Sequence, residues 1–239
     1  MTHTIRIAMW SGPRNISTAM MRAWENRIDT EVLDEPFYGA YLASTGLDHP
    51  MREEILTHCP THWDTCARLC AETSEKAIHY QKHMCQHMIN GAPRDWMASV
   101  RHAFLIRPPE AVAASFHKGW PGMGAEDLGF RRQAELFDHI CQMVGAVPPV
   151  LEARDVLENP EGKLRLLCRT LGVDFNPAML CWPTGRRASD GVWGAHWYGR
   201  VESSTGFTPY RPHDNVAEEL KHIVETCRPY YEAMYRYRL

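Results

Sequence analysis

The chain has 239 residues, 44% of them hydrophobic and 23% charged, with a formal net charge of −3. These values fit a folded globular domain, and without a basic excess nucleic acid is not the expected partner, so any anion must be met by a local group of Arg and Lys. No apolar run is long enough to span a bilayer, the first residues show no basic run followed by a long apolar stretch, so no signal peptide is expected, and the eight cysteines read as reduced thiols; the expectation is a cytoplasmic protein with neither a membrane nor a nucleic-acid partner.

Short apolar runs alternate with amphipathic stretches, without internal repeats or long linkers. Residues 5–9 (IRIAM) read as a strand, and Ser17 to Arg27 as a helix capped by Ser17. Residues 31–36 (EVLDEP) read as a second strand stopped by Pro36, and Arg52 to Thr73 as largely helical with a break near Cys59-Pro60. Within that stretch Cys59, His62, Cys66 and Cys70 lie at spacings a helix brings to one face. Structural zinc sites favour close Cys pairs on turns, so a half-buried face using Cys as a small hydrophobe is the better reading, and no metal is expected.

Strands follow at 76–81 (KAIHYQ) and 102–107 (HAFLIR), then a helix from Pro109 to His117 and another from Gly129 to Val144. Residues 148–153 (PPVLEA) form the next strand, Pro160 to Leu171 a helix, and Asn215 to Tyr235 a last, aromatic-rich helix. This alternation predicts a single three-layer α/β/α domain over 1–239, with a mostly parallel sheet and ligands at the strand C-termini. Between 183 and 212 the periodicity lapses, yet Trp193, Trp197, Tyr198 and Phe207 argue for an ordered functional loop.

The turn after the first strand, "SGPRNIST", carries the chemistry. A strand, a tight turn and a helix aim backbone N–H groups and the positive helix end at one point. Ser17 and Thr18 add hydroxyls and Arg14 a fixed positive fork. The match to a Walker loop fails at three positions: with Thr18 as its last residue, Ser11, Ile16 and Ser17 stand where Gly, Gly and Lys belong. The alternative for the loop alone is an ordinary capped helix after a βα turn.

Several segments together resemble the cytosolic-type sulfotransferases, P-loop proteins that transfer a sulfuryl group from 3′-phosphoadenosine 5′-phosphosulfate (PAPS). "PRNIST" is similar to their P-K-S-G-T-T loop, with Arg14 for Lys and Ile16 for Gly. "LIRPPEAVAASF" supplies Arg107 closing a strand and Ser115 eight residues later, the family's 3′-phosphate pair. "LEARDVLENPEGKLRLLCRTLGV" resembles the Y-E-D-L…P…L-x-x-L-G segment, and "GRRASDGVWGAHW" the R-K-G…G-x-W loop that closes over the 3′-phosphate. The GPRN-type loop, "DEPFYGAYL" and "DGVWGAHWYGRVESSTGF" are more similar still to a bacterial branch of sulfotransferase-like proteins. Two departures stand out. Ala153 occupies the position of the Tyr near adenine, and the family's K-T-H appears as Gln81-Lys82-His83, which turns Lys82 to the opposite strand face if the strand runs that far.

The resemblance implies a P-loop fold, PAPS as donor and 3′,5′-ADP as product, with Arg14, Asn15, Ile16, Ser17, Thr18, Arg107, Ser115, Arg186 and Arg187 on the donor. Arg14 is expected to act on the 5′-phosphosulfate end. Transfer through a loose transition state needs orientation and charge neutralisation rather than a metal. A base near neutral pKa is useful, and His83, just after a strand, is expected at the mouth of the site, with His196 as the next candidate. Trp10, Glu35, Phe37, Tyr38, Tyr41, Trp193, His196 and Trp197 are the candidate lining for a small-molecule hydroxyl or amine acceptor, although for any single aromatic a core position is the better reading. A P-loop phosphotransferase and a non-catalytic nucleotide-binding protein are the alternatives.

Overall fold

The first strand, β1 (Ile5–Ser11), is at the middle of a parallel five-stranded sheet. The computed structural model describes residues 4–212 and 216–239. The chain leaves β1 for α1 (Ser17–Glu25) and reaches β2 (Thr30–Asp34), two places away at the sheet edge. It then forms α2 (Tyr38–Thr45), α3 (Arg52–His58) and α4 (Trp63–Ala71) before β3 (Ile78–Met84) fills the gap between β2 and β1. The second half builds the other way, through β4 (Arg101–Ile106), α5 (Pro109–His117), α6 (Phe130–Val144) and β5 (Val150–Glu152). The order is β2-β3-β1-β4-β5, all pairs parallel, so the direction of winding reverses at β1 and β4. Such a reversal opens a crevice at the strand C-termini, and the loops after β1 and β4 border it.

Both sheet faces are apolar because helices cover both. Ile7, Met9, Tyr80, Ala103 and Leu105 pack against Met20, Met21 and Trp24 of α1 and against Leu164 and Leu167 of α8 (Pro160–Thr170). Ala8, Trp10, Phe104 and Ile106 meet Leu136, Phe137 and Ile140 of α6 on the other face. The last helix, α11 (Lys221–Tyr235), lies along α6 and α5.

Several boundaries differ from the sequence reading. The first helix is preceded by Ile16, in the left-handed region (φ 54), with no side-chain cap, so Ser17 is its first residue and not its cap. The second strand ends at Asp34, because Glu35 turns the chain with φ 41. Helix α2 was not expected: "YGAYLAST" lacks the alternation of an amphipathic helix, since its first five residues are all buried. Gly39 makes that packing possible, as a Cβ there would stand 2.5 Å from the Pro60 carbonyl oxygen. The break between α3 and α4 falls at Cys59–His62, so the four candidate zinc residues do not share one helix, and Cys66 and Cys70 point into the core. The fifth expected strand yields at Glu152 to α7 (Ala153–Glu158), in which the N–H groups of Arg154 and Asp155 donate to the Glu152 carboxylate. The 183–212 segment contains two helical turns, α9 (Gly194–Trp197) and α10 (Gly199–Glu202). The expected start of the last helix, Asn215, lies outside the described residues, and α11 begins at Lys221.

Candidate active site

The loop after β1 is built on inward-facing side chains that leave its backbone for a ligand. Asn15 is buried and donates through Nδ2 to the Leu105 carbonyl of β4 at 3.2 Å, while Ile16 packs on the core. Arg14 and Ile16 both have positive φ, 59 and 54. Left-handed backbone costs an L-residue roughly 1–2 kcal/mol and is unusual for a β-branched one, so tertiary contacts hold this loop in place. The uncapped N-terminus of α1 presents N–H groups and the positive helix end to the same crevice.

Arginines converge there. Arg107, just beyond β4, donates through Nη1 to the Arg14 carbonyl at 2.6 Å, and Arg14 donates through Nε to Ser115 Oγ on α5 at 3.0 Å. Burial, then Arg200 on α10, depress the Arg14 pKa; burial, then Arg14 and Arg200, depress that of Arg107, with Glu152 and Tyr210 acting the other way. Arg14 and Arg107 thus stand together, half-buried and within electrostatic reach of the exposed Arg200, an arrangement that an anion would relieve. The structure brings together Arg14, Arg107 and Ser115 as expected from sequence, but it turns the Arg14 side chain towards Ser115, the side assigned to a 3′-phosphate. Arg186 and Arg187 are not part of the cluster: Arg186 is exposed, and Arg187 donates to the Pro183 carbonyl and faces Glu25 at the far end of α1. Arg200 is the arginine that the long loop contributes.

A second cluster sits at the C-terminal ends of β2 and β3. The strand β3 runs to Met84, so Lys82 and His83 lie on opposite faces. Lys82 Nζ donates to Asp34 Oδ1 at 2.9 Å, to Glu35 Oε1 through a short bond, and to Tyr198 Oη at 2.7 Å. An ammonium has three protons, and all are placed. Tyr198 donates to Asp34 Oδ2 at 2.7 Å and accepts from Trp193 Nε1 at 2.9 Å, and the Gly191 N–H reaches Asp34 Oδ2 at 3.1 Å. Lys82 and Asp34 side chains are each 1% exposed, whereas that of Glu35 is 9% exposed. Glu35 is therefore the least enclosed of these three side chains. Burial raises its carboxyl to about 7, with Lys82 opposing and Asp34 adding to the shift; burial opposes the Lys82 charge, but Asp34 and Glu35 outweigh it and raise the Lys82 pKa.

The other expected site residues divide clearly. His83 does not reach the mouth of the site: it is sealed on the α6 face, stacked on Trp10 with centroids 4.4 Å apart, beside Phe37 and Trp96, and bonded to Gln81. Burial holds its pKa well below the usual range, so it stays neutral but out of contact with solvent. Trp10 and Phe37 are buried core of that same face. Tyr38 and Tyr41 flank His87 and approach His49 on the α1 side, and Trp193 meets Tyr38 edge-on. His196 is exposed, with its ring edge-to-face with Trp197, which stacks on Phe116. Ala153 is buried as the first residue of α7. Sequence reasoning missed Asp34, Lys82, Tyr198 and Arg200 as site residues; adjacent Asp and Glu after a strand and the run "WYGR" were the available signals.

A sulfotransferase-domain family model matches residues 5–238. The chain belongs to the sulfotransferase family. Over 203 residues, 84% of this sulfotransferase-family chain, it is 36% identical to branched-chain-amino-acid aminotransferase-like protein 1 of Arabidopsis thaliana, and the match spans 36% of that longer relative. The fold is similar to that of a sulfotransferase from Alicyclobacillus acidocaldarius (TM-score 0.57, 13% identity, 99% of this chain and 98% of that one). It is also similar to the sulfotransferase domain of the Synechococcus PCC 7002 olefin synthase (TM-score 0.52, 16% identity, 95% and 96%). These likenesses agree with the single parallel sheet flanked by helices that the sequence predicted. No helix among the described residues is long and apolar enough to cross a membrane.

Proposed function

We propose that this protein transfers a sulfuryl group from PAPS to a hydroxyl or amine of a small molecule. The observation that carries the reading is the convergence of Arg14, Arg107, Arg200 and Ser115 beside the uncapped N-terminus of α1. Arg14, Arg107, Ser115 and Arg200 suit a 3′-phosphate, and the backbone N–H groups of residues 14–18 suit the 5′-phosphosulfate. When bound, the donor supplies the sulfuryl group. The loop N–H groups neutralise charge that develops on the leaving phosphate oxygen, an effect realised mainly in the transition state. Glu35 accepts the proton of the acceptor, a role that needs a carboxyl of near-neutral pKa that is not fully enclosed. Lys82 and Asp34 hold Glu35 in place, and Tyr38, Tyr41 and Trp193 form the apolar side of the acceptor space.

The test is a thermal-shift series with 3′,5′-ADP, 5′-ADP, AMP and ATP. A ligand that binds only the folded state raises the melting temperature by mass action. The reading expects the largest rise with 3′,5′-ADP. A larger rise with ATP than with 3′,5′-ADP would favour phosphotransfer.

A further inference from the structure

Tyr198 and Arg200 lie two residues apart, yet they serve the two clusters described above. Tyr198 is 4% exposed and its phenol is at the centre of the acidic group, accepting from Lys82 and Trp193 and donating to Asp34. Its one proton and two lone pairs are all used. Arg200 is exposed and within electrostatic reach of Arg14 and Arg107. The backbone between them is one tight turn: Tyr198 lies between α9 and α10, and its carbonyl accepts from the N–H groups of Val201 and Glu202 at 2.8 and 2.9 Å. Glycines permit the packing on the inner side, since a Cβ at Gly194 would press on the Tyr198 ring at 3.0 Å and one at Gly191 would overlap the Trp193 ring.

We propose that Tyr198 is a positioning residue for Glu35, and that its place on the turn carrying Arg200 makes the readiness of Glu35 depend on occupation of the donor site. The inference rests on the donor and base assignments above. An anion seated on Arg200 holds the turn down, and with it the phenol that accepts the third Lys82 proton. Lys82 then keeps its remaining protons on Asp34 and Glu35, which favours Glu35 as the ionised base. By linkage, the same free energy couples donor affinity to the protonation of Glu35. The groups that face Glu35 are Lys82 on β3, Asp34 on β2, Tyr38 on α2, Cys59 after α3 and Tyr198 itself. Among them, Tyr198 is the one covalently tied to an arginine at the donor site. The functional consequence is order: the acceptor proton is taken once the donor is in place.

The experiment is calorimetry of 3′,5′-ADP binding at pH 7 in two buffers of different ionisation enthalpy, which counts protons exchanged. Wild type is compared with Glu35→Gln, Tyr198→Phe and Arg200→Ala. A carboxyl titrating near pH 7 can release about half a proton on becoming fully ionised. Wild type should therefore release more protons than Glu35→Gln by up to about that amount. Tyr198→Phe should bind 3′,5′-ADP within about twofold of wild type but lose the excess release. Arg200→Ala should bind roughly tenfold more weakly and, at saturation, lose the excess as well. If Tyr198→Phe does not fold, Trp193→Phe, which removes the N–H that fixes the phenol, is expected to diminish the excess in the same way. An unchanged excess in Tyr198→Phe, or none in wild type, overturns this inference alone. Failure of wild type to bind 3′,5′-ADP overturns the donor assignment and this inference with it.

Discussion

Lys82 and His83 are neighbours in sequence and stand on opposite faces of β3, one bonded to Asp34, Glu35 and Tyr198, the other stacked on Trp10. The strand carries the ionic group of the crevice on one face and a neutral aromatic core on the other. This single alternation puts Lys82 in the ionic group and His83 in the aromatic core.

His83→Gln should therefore retain turnover within a few-fold of wild type. The substitution empties part of an aromatic stack and should cost about 1–3 kcal/mol of stability, read by urea unfolding. A variant of unchanged stability that has lost transfer of sulfate to its acceptor would return His83 to the site.

Glu35→Gln keeps shape and hydrogen bonding but cannot take a proton. It should lower turnover by roughly 10²–10⁴-fold, the usual value of general-base catalysis. In wild type the acidic limb of the pH–rate profile should fall near pH 7, where Glu35 titrates. That limb should vanish in Glu35→Gln. Its persistence at the same pH would assign the base to another group.

Stability should depend on pH with two opposed contributions. His102 accepts from Trp10 Nε1 at Nδ1 (3.0 Å), and its other nitrogen is bonded to the Met97 carbonyl, so the neutral ring is fixed in place. Burial lowers its pKa to about 4. A depressed value stabilises the fold above the ordinary histidine pKa and loses that contribution as pH falls from about 6.5 towards 4, in total roughly 3 kcal/mol. Glu35 has the opposite sign: raised to about 7, it favours the fold most below its ordinary value near 4.5, and that contribution is lost as pH rises from there to 7. Urea midpoints between pH 7 and pH 4.5 should fall more steeply in Glu35→Gln than in wild type, and less steeply in His102→Gln. Equal slopes in all three proteins would remove both assignments.

Much of this was readable in the sequence, for reasons that differ by residue. The sheet followed from apolar runs at 5–9 and 102–107, because strands buried on both faces carry no competing pattern. The loop at Pro13 to Thr18 and the pair Arg107 and Ser115 were legible because each stands at a fixed offset from a strand end. The missed residues lacked such an anchor. The role of Lys82 depended on three further residues of strand beyond 81, and a one-residue step in β3 exchanges its two faces. Arg200 and Tyr198 lie in a stretch without periodicity, so only tertiary packing brings one to Arg14 and Arg107 and the other to Lys82. Helix α2 escaped notice because its first five residues are all buried, which leaves no amphipathic alternation to read.

The donor site is the central claim, and titration calorimetry of 3′,5′-ADP against 5′-ADP tests it most directly. Wild type should prefer 3′,5′-ADP. Arg107→Ala and Arg14→Ala should each weaken it by about 1.5–3 kcal/mol, the usual loss for a charge-assisted hydrogen bond, and should affect 5′-ADP much less. Equal affinity of wild type for both nucleotides, or equal weakening of both in the two variants, would contradict the assignment of Arg14, Arg107, Arg200 and Ser115 to a 3′-phosphate.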